Sequence, residues 1–167
     1  MTTNNLDSKD FVVCGSSCAS YMDYFILNRV RDVDIFVMDR PLEEVIPTEG
    51  ADVLRHISTS SCLEHLEERD GFQFLNKVDI LVSMAVGGLR RMKHRDFDYV
   101  AILLSDLGMN LDELEELIYI GLPNMKYLTD EMKRTIVNNI PLMRFYVTCR
   151  IKEIRESLEI FKKELQL

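Results

Sequence analysis

Several features are scarce or missing in this chain of 167 residues, and each absence removes a class of protein. No long apolar run is present: stretches such as Ile35 to Met38 and Val100 to Leu104 are far too short to cross a bilayer, so no membrane partner is expected. No secretory signal opens the chain, because Met1 to Asp10 is polar. A cytoplasmic, or at least intracellular, protein follows as the expectation. Cysteine is sparse, with Cys14, Cys18, Cys62 and Cys149 spread along the sequence. None stands in a zinc-ribbon or thioredoxin spacing, and in a reducing compartment they read as free thiols. Positive charge is short as well: 20 Lys and Arg face 28 Asp and Glu, a net charge of −8. A protein that grips duplex DNA is usually basic, so that role is not expected. His56, His65 and His94 have no Ser or Cys partner in a recognisable motif. Internal repeats and low-complexity segments are absent.

What remains is the material of a folded unit. Apolar residues make up 47% of the chain, enough for a core, and the length suits one domain or a small domain with a helical appendage. The charge is uneven. Residues 129–167 hold eight Lys/Arg and six Asp/Glu, leaving a net of −10 on the rest.

Residues 1–9 are polar and read as a disordered start. Phe11 to Cys14 is a short apolar run ending at Gly15 and predicts a buried strand. Ser17 to Leu27 has helical spacing, and Val33 to Met38 predicts a second strand. Strand, glycine turn, helix and strand together open an α/β unit. Pro41 to Val45, Asp52 to Ile57 and Cys62 to Glu68 read as short helices. Phe72 to Leu75 and Val78 to Val82 read as strand, continuous or bent. From Asp96 onward the pattern is helical, with one helix ended by Gly108 and another started by Asn110 with Glu113 and stopped by Gly121 and Pro123. Thr129 caps a helix to Asn139, and Pro141 begins the last one. The division is therefore a core over 10–95 and a helical part over 96–167.

Three acids and a glycine carry the candidate chemistry. Gly15-Ser16 follows a strand and opens a helix, so the bare backbone, the free N–H groups and the Ser16 hydroxyl suit a phosphate. Asp32 and Asp34 are two apart on a strand and project to one face. Carboxylates held together need a cation or a proton. Asp79, inside the run read as a strand, would complete an oxygen-rich site suited to Mg²⁺. This geometry requires Asp79 on a strand beside the other two; a helical Asp79 would remove it.

The pattern Cys14-Gly15-Ser16, then Asp32-Val33-Asp34-Ile35, then Asp79 resembles the DNA polymerase β-like nucleotidyltransferase superfamily. The run Lys93-His94-Arg95-Asp96-Phe97-Asp98-Tyr99-Val100 before an apolar helix looks like small AbiEii-like members, although Tyr99 stands where those proteins carry a second acid. The resemblance implies a small mixed sheet with helices, followed by a helical C-terminal half. It also implies a nucleoside triphosphate as substrate, bound with two Mg²⁺ ions. Asp32, Asp34 and Asp79 would be the metal ligands and catalytic acids. Gly15, Ser16, Lys93 and Arg95 would hold the nucleotide. The product would be a nucleoside monophosphate joined to a hydroxyl of a protein, an RNA or a small molecule.

The residues alone leave other readings open. Gly15-Ser16 also suits an ordinary strand-to-helix turn, Asp32 and Asp34 a solvated strand end, and the Arg90 to Arg95 run a solvated loop. A catalytically inactive copy of the fold, or a helical protein-interaction module, fits the same sequence. In the last helix Val147, Ile151, Ile154, Leu158, Phe161 and Leu165 are spaced as a heptad seam. Phe145, Tyr146 and Cys149 widen its start, as burial against the chain's own core requires. The end, from Leu158, is expected to serve a homodimer or a partner.

Overall fold

A computed structural model of the chain describes residues 11–15, 33–37, 51–54 and 64–165. It is a mixed α/β fold. The strands are β1 (Phe11–Val13), β2 (Val33–Val37), β3 (Ala51–Leu54), β4 (Leu66–Arg69) and β5 (Phe72–Leu75). The helices are α1 (Lys77–Arg91), α2 (His94–Leu107), α3 (Leu111–Gly121) and α4 (Asp130–Leu165), with a 3₁₀ turn over Leu122–Asn124.

The strands form one sheet in the order β3-β2-β1-β5-β4. β1 lies antiparallel to β2 and parallel to β5. β2 and β3 run parallel, and β4 and β5 make an antiparallel hairpin. Its two-residue loop is Asp70-Gly71, with φ of 54° and 79°. Positive φ at both positions gives the primed turn that matches strand twist, and Asp-Gly is a favoured pair for it.

Two of the sequence expectations are corrected at these strands. Asp52 to Ile57 and Cys62 to Glu68 read as helices, yet Ala51–Leu54 and Leu66–Arg69 are strands. Pairing decides both cases, since each short segment gains ladder partners that an isolated short helix would not have. The expected helices over 17–27 and 41–45 fall outside the described residues.

A third correction concerns Val78 to Val82, which is helical. It forms the start of α1, where Asp79, Ile80, Leu81, Val82, Met84, Ala85, Val86, Gly88 and Leu89 are buried. Read alone, Val78 to Val82 is a short run, apolar apart from Asp79, and a run of that length cannot be told from a buried strand by periodicity. Gly88 lets α2 come close: a methyl group there would stand 2.7 Å from the Phe97 ring. The expected boundary at 95/96 falls inside α2, and one core cluster spans it. That cluster joins Val12, Cys14, Phe74 and Leu75 to α1, α2 and the buried face of α4.

The caps of the helical half follow the sequence. Gly108 ends α2 at φ 66°. The Asn110 side chain accepts from the Glu113 N–H at 3.0 Å, while Glu113 accepts from the Asn110 N–H at 2.7 Å. Thr129 Oγ1 accepts from the Met132 N–H at 3.2 Å. Pro141 does not start a new helix but lies inside α4, which is continuous over 36 residues. Ile136, Ile140, Met143 and Val147 anchor it on both sides of the proline, which offsets the lost hydrogen bond.

Candidate functional site

The sheet register gathers the ends of several strands at one place. β1 leads into Gly15 as β5 leads into α1, because Val12 pairs with Gln73 and Val13 with Phe74 in parallel. β2 runs the other way, so its first residues, Val33 and Asp34, lie at that same end. β3 is parallel to β2 and begins there too, with Asp52 in register with Asp34.

Gly15 and Asp34 are in direct contact. The Cys14 N–H donates to the Asp34 carbonyl at 2.8 Å, which continues the ladder past β1. Gly15 itself has φ 62°, a conformation costly for residues with a Cβ. A methyl group at this position would also stand 2.9 Å from Asp34 Cγ and 3.1 Å from its Cβ. Both backbone conformation and space therefore demand glycine. The arrangement presses a carboxylate against bare backbone at a strand end. Asp32 and Ser16 lie outside the described residues.

Asp79 reaches this end of the sheet by a different route from the expected one. It occupies the first turn of α1, is 1% exposed, and its N–H donates to Asn76 Oδ1 at 2.9 Å. Its Oδ2 accepts from Asn76 Nδ2 at 2.8 Å, and the same amide donates to the His65 carbonyl at 2.7 Å. A carboxylate in the first turn of a helix is favoured by the helix dipole. Asp79 thus closes the N-terminus of α1 and ties it to the residue before β4. Asp79 is therefore carried by a helix and not by a strand beside Asp34, as the expected metal site required.

Lys93 and Arg95 are not brought to the acid end. They sit where α1 gives way to α2, and the rise of α1 separates them from Asp79 by about 20 Å along the helix. Arg95 Nε donates to the Tyr99 hydroxyl at 2.8 Å, and its guanidinium lies 5.6 Å from that ring's centre. Arg91 pairs with Asp96 at 3.0 Å. This basic corner is laced to α2 by its own neighbours.

Asp52, in a segment that read as a helix, instead stands in β3. The available signal was an acid followed by Val53 and Leu54, the acid-then-apolar pattern of Asp34-Ile35. Among the described residues no three His, Cys, Asp or Glu side chains stand together as a metal-binding group. The carboxylate oxygens of Asp34 are of the kind Mg²⁺ prefers, and they fill the space that a side chain at position 15 would take. No helix among the described residues is long and apolar enough to cross a membrane. The chain matches no protein-family model, no curated protein and no solved structure.

Proposed function

We propose that the end of the sheet at Gly15 and Asp34 binds a nucleoside triphosphate with Mg²⁺ and supports nucleotidyl transfer to a hydroxyl acceptor. The observation that carries this reading is the forced glycine packed on a carboxylate. Gly15 and the Asp34 carboxylate stand side by side, the two groups a metal-phosphate site needs together. Asp34 and Asp32, two residues apart in sequence, would hold Mg²⁺. Bound Mg²⁺ supplies charge neutralisation and polarises the phosphate under attack. Asp34 would fix the ligand geometry from a paired strand, held against the Gly15 backbone. Asp79 holds the α1 terminus in position.

The test is equilibrium binding of labelled ATP and GTP to the full chain, with and without Mg²⁺. The proposal expects saturable, Mg²⁺-dependent binding of at least one of them. Absence of binding by both favours the second reading, a helical interaction module. That second reading rests on one observation of its own: the end of α4 exposes Leu158, Phe161 and Leu165.

A further inference from the structure

We draw no further inference here: the strongest candidate, the exposed apolar end of α4 at Leu158, Phe161 and Leu165, carries nothing because nothing in the structure shows what covers it.

Discussion

At the end of the sheet, bare backbone at Gly15 lies against the Asp34 carboxylate, and strand starts from across the sheet converge there. In the helical half, many polar groups close on one another instead. Arg144 reaches Asp112 at 2.7 Å and Glu115 at 2.8 Å, Asn139 donates to the Leu89 carbonyl at 2.9 Å, and Arg150 meets Asp98 at 3.0 Å. Lys77 likewise pairs with Asp106, tying the start of α1 to the end of α2. The bundle closes its polar groups within the fold, whereas the proposed site gathers strand ends around Gly15 and Asp34.

The largest expected effect lies in the bundle. Met143 is fully buried in α4, so Met143→Ala should cost about 2–5 kcal/mol. Denaturant unfolding measures the loss. Nucleotide binding per folded molecule should stay unchanged, because α4 contributes nothing to the Gly15–Asp34 contact. A variant that keeps its stability but loses binding would erase the division between the two regions.

A smaller effect concerns Tyr146. Its hydroxyl donates to Asp98 at 3.2 Å, and burial, followed by the charge of Asp98, raises its pKa above the usual 10. The folded state therefore favours the protonated phenol. This contribution is fully present below pH 10 and is lost as pH rises through the higher folded value. The stability of the wild type should fall relative to Tyr146→Phe above about pH 10, as melting temperatures across that range would show. A constant difference would mean that the α2–α4 contact does not use this proton.

The helical half was legible because its signals are local. Asn110, Thr129 and Gly108 announce caps within a few residues of each boundary, and the heptad spacing runs from packed seam to exposed stripe. The sheet was only partly legible. Phe11 to Cys14 and Val33 to Met38 are apolar runs that form β1 and β2, and Gly15 and Asp34 are brought together as expected. β3 owes its form to β2, distant in sequence, while β4 pairs with the neighbouring β5, and a segment as short as Leu66–Arg69 carries little signal of its own. The Asp70-Gly71 turn was the readable clue to the β4–β5 hairpin. Asp79 was misplaced because the run Val78 to Val82, apolar apart from Asp79, is too short to show a helical period and has the composition of a strand. Its cap, Asn76 three residues before Asp79, was the feature that distinguishes the two.

The division of labour between Asp34 and Asp79 gives the most direct measurement. Melting temperatures of the wild type, Asp34→Asn and Asp79→Ala are compared with and without Mg²⁺-ATP and Mg²⁺-GTP. A ligand that binds only the native state raises its stability, so the wild type should melt higher with nucleotide. Asp34→Asn should stay folded and lose that increase. Asp79→Ala should be less stable by about 1–3 kcal/mol through loss of the Asn76 pairing, yet keep the increase. An increase that survives in Asp34→Asn, or that disappears in Asp79→Ala while Asp34→Asn retains it, would contradict the assignment of the site to Gly15 and Asp34.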